Sequence, residues 1–165
     1  MAREEFRRSY DIQVRFRDVD SLGHVNNAVY FTYLEQARVE YFRGLFGSRP
    51  LCREDVPGFV VASARIDYRS PVRLGETVEV CIRASEVGRT SFRFTYELYA
   101  RPDGAARADP ASRLVATGET VQVVYDVAAG KPRRIPQSLR EQLEAFEGRT
   151  FRSPSETAPP SGAGT

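Results

Sequence analysis

From Tyr10 onward, apolar Ile12, Val14 and Phe16 alternate with polar Gln13, Arg15 and Arg17, the two-residue period of a half-buried strand over 10–16. The alternation runs out in Arg17-Asp18-Val19-Asp20-Ser21-Leu22-Gly23-His24-Val25-Asn26-Asn27, a polar stretch full of turn formers. From Ala28 to Phe46 the period lengthens. Val29, Tyr33, Ala37, Tyr41 and Leu45 recur at every fourth position, and Tyr30 and Leu34 widen the stripe. This spacing predicts a long helix, with Asn26 or Asn27 as its N-cap and Gly47 just past its end.

After Pro50, Pro57 and Gly58, the strand period returns over 59–68, 77–86, 91–100 and 114–125. Val78, Val80, Ile82 and Ala84 oppose Glu79, Cys81 and Arg83, while Phe92, Phe94, Tyr96 and Leu98 oppose Arg93, Thr95 and Glu97. Each such strand is expected to keep one wet face. Gly75 and Gly88 mark turns, and 101–112, with Pro102-Asp103-Gly104 and Pro110, reads as a longer loop. A short helix is predicted over 135–147, with Pro136 in its first turn and Gly148 after it. The segment 149–165, rich in Pro, Ser, Gly and Ala, reads as a disordered tail.

One long helix among five strands predicts an α+β domain over 1–148, an antiparallel sheet of about five strands wrapped around the helix. A lone helix leaves strand edges open. Pairing two sheets edge to edge would protect them, so a homodimer or homotetramer is expected.

Composition narrows the classes of partner. The chain has 165 residues and 41% hydrophobic content, with no apolar run of membrane-spanning length, so no membrane partner is expected. The first ten residues mix acids and arginines, unlike a signal peptide, which points to the cytoplasm. Cys52 and Cys81, outside any Cys-x-x-Cys, are expected to be reduced thiols. The net charge is +2, with basic and acidic residues interleaved, so no nucleic acid partner is expected.

The residues able to do chemistry cluster between the first strand and the long helix: Asp18, Asp20, His24, Asn26 and Asn27. His24 is the sole histidine, which excludes a multi-histidine metal site. A loop entering a helix aims backbone N–H groups and the positive end of the helix dipole at a carbonyl oxygen, where developing negative charge would be stabilised. Asp20 is then placed to attack that carbonyl or activate a water, and His24, four residues on, to orient the water, hold Asp20 or protonate the leaving thiolate.

The string from Arg15 to Phe31, continuing in Tyr33-Leu34-Glu35-Gln36-Ala37-Arg38, resembles the signature of the 4-hydroxybenzoyl-CoA thioesterase-like proteins of the hotdog fold. Asp67-Tyr68-Arg69-Ser70-Pro71-Val72 and Gly88-Arg89-Thr90-Ser91-Phe92 extend the likeness to about residue 147. The resemblance implies a hotdog fold and hydrolysis of an acyl-CoA without metal or dissociable cofactor, CoA being part of the substrate. It further implies that Asp20 is the catalytic carboxylate and that the Asn27 N–H binds the thioester oxygen. Substrate contacts would come from Asn26, from Tyr30, which matches the family's helix tyrosine, and from Arg89 with Ser91, near the CoA phosphates. Asn27 and Val29 depart from the hydroxybenzoyl and YbgC-like subtypes, and Gly-His-Val-Asn-Asn is similar to the long-chain acyl-CoA and acyl-carrier-protein branch. A fatty acyl group is therefore expected.

Two other readings are weaker. An enoyl-thioester hydratase or dehydratase of this fold would carry Asp-x-Asn-Pro-x-His, and this loop has no proline. A non-catalytic acyl-CoA-binding module would have no use for both Asp20 and His24.

Overall fold

An alternating strand leaves one apolar face to be covered, and a single long helix covers it here. The computed structural model describes residues 3–47 and 58–152. The elements are β1 (Arg8–Gln13), α1 (Val29–Phe46), β2 (Phe59–Tyr68), β3 (Glu76–Val87), β4 (Ser91–Pro102), β5 (Arg113–Asp126), β6 (Lys131–Pro132) and α2 (Gln137–Glu147). The expectations for Pro50, Cys52 and Pro57, and for the tail beyond residue 152, lie outside the described residues.

The strands pair antiparallel in the order β1-β3-β4-β5-β2, with β6 added to β5. This is the expected hotdog arrangement, with a sixth strand of two residues, too short for any periodicity to reveal. Leu34, Ala37 and Tyr41 of α1 are fully buried against Phe92, Phe94, Tyr96 and Leu98 of β4. A fully buried leucine or phenylalanine side chain here contributes roughly 2 kcal/mol by leaving water. Aromatic pairs tighten the packing: Tyr41 meets Phe94 edge-on at 4.7 Å, and Phe42 stacks on Phe59 at 5.0 Å. Gly118 eases the close pairing of β5 with β2, since a Cβ there would lie 3.0 Å from the Arg65 carbonyl oxygen.

The structure corrects several boundaries. Phe16 does not continue the first strand; it is 84% exposed in a short 3-10 turn, Phe16–Asp18. The turn forms because the Asp18 carboxylate captures the Arg15 N–H at 3.0 Å and so diverts the backbone. Helix α1 begins at Val29, with Ala28 rather than an asparagine in the cap position, and Pro136 precedes α2 rather than sitting inside it. Arg149 donates to the Ala84 and Ser85 carbonyls and the Phe151 N–H to Glu144, so these first residues of the expected tail pack onto the fold.

The expectation of one wet face per strand fails in both directions. On β3 and β4 the outward Glu79, Cys81 and Glu97 are buried, because the N-terminal segment and the 101–112 loop fold over them. Arg3 pairs with Glu79 and lies over the Tyr99 ring, while Arg101 reaches Asp11 at 2.9 Å and Arg107 reaches it at 3.4 Å. Buried charges persist only when paired in this way. The same burial pushes the Cys81 thiol up to about 11. Strand β2 is the opposite: Val60 and Val61 are 42% and 49% exposed, and its outer edge meets no strand among the described residues.

Candidate active site

The loop joining β1 to α1 has a closed base and an open tip. At the base, Asp18 is 3% exposed and saturated with donors: the Arg15 N–H, the Arg15 guanidinium at both carboxylate oxygens, and the Tyr33 hydroxyl at 2.9 Å. Burial alone would push its carboxyl up. The hydrogen bonds from Arg15 and Tyr33 outweigh it and hold the group below the usual carboxylate range.

Beyond the base, Val19 and Val25 form an isolated antiparallel bridge that pinches 20–24 into a tight turn. The Asp20 N–H donates to the His24 carbonyl at 2.9 Å and the Gly23 N–H to the Asp20 carbonyl at 3.0 Å. Gly23 sits at φ 77°, which a side chain would strain. One oxygen of the Asp20 carboxylate accepts the Leu22 N–H at 2.9 Å; the other has no partner among the described residues. A half-anchored carboxylate of this kind can be aimed and still accept a proton.

At the helix start, the Asn26 N–H donates to the Asp18 carbonyl, and Asn26 Oδ1 accepts the Ala28 N–H, both at 2.9 Å. The Asn27 N–H between them has no acceptor among the described residues. Asn27 lines an open cleft of about 280 Å³ together with His24, Val25, Tyr30, Tyr68, Arg69, Ser70 and Pro71. The Tyr68 hydroxyl donates to the Asn27 carbonyl at 2.8 Å, and its ring meets Tyr30 edge-on at 5.0 Å. Burial, then the neighbouring Tyr68, pushes the Tyr30 hydroxyl up to about 12, so it stays protonated at neutral pH. A free backbone donor at the positive end of α1, a histidine and an adjacent half-bound carboxylate can together polarise a carbonyl and move protons beside it.

His24, Asn27 and Tyr30 thus share one cleft, and Asp20 adjoins it through its bond to His24 without lining it. The Asn26 side-chain oxygen is occupied by the Ala28 N–H. Arg89 and Ser91 lie elsewhere. Ser91 pairs with Val123, which pairs with Val60, at the end of β2 opposite Tyr68 and so roughly 25 Å along the sheet. Tyr68 to Pro71, quoted above for their resemblance alone, received no role from the sequence. They enter the cleft because the Val25 N–H bonds the Val72 carbonyl at 2.8 Å, a pairing with no local signal.

The sequence profile of the thioesterase-like superfamily matches residues 14–143. The acyl-CoA thioesterase YbgC of Helicobacter pylori is 31% identical over 135 residues, covering 81% of this chain and 98% of that protein. The acyl-CoA thioester hydrolase YbgC of Escherichia coli O6:H1 is 26% identical over 130 residues, covering 79% of this chain and 90% of that one. The crystal structure of a thioesterase from Thermus thermophilus, complexed with coenzyme A and Zn, superposes with a TM-score of 0.72 at 37% identity, covering 90% of this chain and 99% of that one.

Proposed function

Because the chain belongs to the thioesterase-like superfamily, we propose that it hydrolyses acyl-CoA thioesters, with a fatty acyl group, to the free acid and CoA. The observation that carries this reading is the acceptor-free Asn27 N–H at the start of α1, in a cleft with His24 and beside Asp20. The thioester oxygen accepts from Asn27. The free oxygen of Asp20 takes a proton from water, and the water oxygen attacks the carbonyl carbon. Charge gathers on the oxygen facing the helix end, the carbon–sulfur bond breaks, and His24 protonates the departing thiolate. Written so, the reaction uses no metal and no dissociable cofactor. Tyr68 and Tyr30 hold the residue that donates.

The site is completed in a dimer. The open edge of β2, with its exposed Val60 and Val61, suits antiparallel pairing with a second β2. Antiparallel pairing sets the Phe59 end of one copy against the Tyr68 end of the other. It thereby carries the second copy's Arg89 and Ser91 toward this cleft, where they meet the CoA phosphates. We place the enzyme in the cytoplasm; no described helix is long and apolar enough to cross a membrane.

The test is thiol release from short, long and aromatic acyl-CoAs by wild type and Asp20→Asn. Turnover of a subset, falling a hundredfold or more in Asp20→Asn, is expected; that loss corresponds to about 2.7 kcal/mol of transition-state stabilisation. No release from any acyl-CoA would end the reading.

A further inference from the structure

The wall of the cleft formed by 68–72 is pinned at two points to the segment it faces. The Val25 N–H donates to the Val72 carbonyl and the Tyr68 hydroxyl to the Asn27 carbonyl, each at 2.8 Å. Residue numbers rise from 25 to 27 on one side as they fall from 72 to 68 on the other, so the two segments run in opposite directions and Ser70, midway along its own, comes opposite Asn27. Both residues line the cleft. Asn27 brings a backbone donor to this space, and Ser70 brings a side-chain one.

The Ser70 hydroxyl is held from behind. Arg113 Nε donates to Ser70 Oγ at 3.3 Å, and Arg113 Nη2 to the Pro71 carbonyl at 2.7 Å. The guanidinium is itself fixed: Nη1 and Nη2 reach the two carboxylate oxygens of Glu76 at 2.6 and 3.1 Å, and Glu76 also accepts the Arg73 N–H at 2.7 Å. The backbone is anchored as well, since the Arg69 and Ser70 N–H groups both donate to the Val115 carbonyl, at 2.8 and 3.2 Å. A guanidinium can only donate, so it occupies a lone pair of the serine oxygen and leaves the hydroxyl proton free. No side chain or carbonyl among the described residues accepts that proton, and the half-buried Ser70 borders the cleft. A hydroxyl that accepts from a cation is polarised, which makes it a stronger donor.

We infer that Ser70 is a second donor to the thioester oxygen, across the cleft from the Asn27 N–H, and that Arg113 is the residue that positions it. The inference rests on the thioesterase reading and adds a catalytic group to that site. Charge on the oxygen is small in the substrate and grows as water adds to the carbonyl carbon. A fixed, polarised donor therefore binds the transition state better than the ground state, and its effect falls on kcat. Tyr68 is not available for the task, because its proton goes to the Asn27 carbonyl.

The test is steady-state thiol release, with kcat and KM determined separately, from whichever of acetyl-, decanoyl-, palmitoyl- and benzoyl-CoA wild type turns over fastest. The variants are Ser70→Ala, Ser70→Thr, Arg113→Lys and the double variant Ser70→Ala with Arg113→Lys. Ser70→Ala should lower kcat on the order of a hundredfold, as removal of one such donor does, with KM within about twofold and the urea midpoint unchanged. Ser70→Thr keeps the hydroxyl and should retain about a third or more of the wild-type kcat. Arg113→Lys leaves a cation for Glu76 but loses the planar fork, and should lower kcat severalfold in wild type and no further in Ser70→Ala. A Ser70→Ala kcat above about half that of wild type overturns the inference and leaves the thioesterase reading standing. So does a loss that appears in KM alone, a loss accompanied by a lowered urea midpoint, or a Ser70→Thr variant as slow as Ser70→Ala. An Arg113→Lys effect undiminished in the Ser70→Ala background overturns it too, since Arg113 then acts elsewhere. No thiol release by wild type from any of the four compounds overturns the reading itself, and this inference with it.

Discussion

The base and the tip of the β1–α1 loop carry carboxylates two residues apart, and they have opposite surroundings. Asp18 is buried and bonded to Arg15 and Tyr33; Asp20 is half-buried, with one oxygen on the Leu22 N–H and the other uncommitted. The difference shows how one short segment separates holding from reacting. A carboxylate surrounded by donors is stabilised as an anion and has no lone pair to spare, which suits it to fix a fold. A carboxylate with one free oxygen beside a cleft can accept a proton, and the closed base keeps it in position.

Substitutions can break this contrast, and the largest effect is expected at the base. Asp18→Ala leaves the Tyr33 hydroxyl buried without an acceptor and frees the Arg15 turn, so it should cost about 3 kcal/mol in a urea melt. At the tip, Asp20→Asn should lose at least a hundredfold in kcat while its urea midpoint moves by less than about 0.5 kcal/mol equivalent, the usual scale of a surface change. If Asp20→Asn unfolded the protein as Asp18→Ala does, the division between base and tip would be wrong. Tyr68→Phe removes only the bond to the Asn27 carbonyl; kcat/KM should fall roughly tenfold, about 1.4 kcal/mol, with the melt little altered.

The smallest effect is read in pH. The folded Asp18 carboxyl lies below its unfolded value of about 3.9, so its stabilising contribution is complete above that value and is lost as pH falls through the folded value. Glu76 behaves alike: burial raises it, but the hydrogen bonds from Arg113 and the Arg73 N–H prevail and lower it. Acid titration of the melting temperature should therefore show a decline beginning near pH 4, shallower in Asp18→Asn.

Much of this was legible in the chain. The four-residue spacing of Tyr33, Ala37 and Tyr41 located α1 to within one residue at its start, and the alternation in 77–86 and 91–100 located β3 and β4. His24 and Asn27 were singled out by type and position and Tyr30 by resemblance, and the three line one cleft. Phe16 misled because alternation says nothing of a side chain three residues on that captures the backbone. Arg89 was referred to the same site by resemblance, and the strand register sets it at the far end of the sheet of its own chain.

The sequence alone determined the elements, the single cluster of reactive residues and the apolar faces, because periodicity and turn chemistry are local properties written in neighbouring residues. Only the tertiary structure decided which outer faces are covered, that Tyr68 to Pro71 wall the cleft, that Asp18 holds while Asp20 is free, and that Arg113 reaches Ser70. Each of these depends on pairing between residues far apart in the chain, such as Val25 with Val72 or Tyr68 with Asn27, and no local pattern encodes which distant strand will arrive.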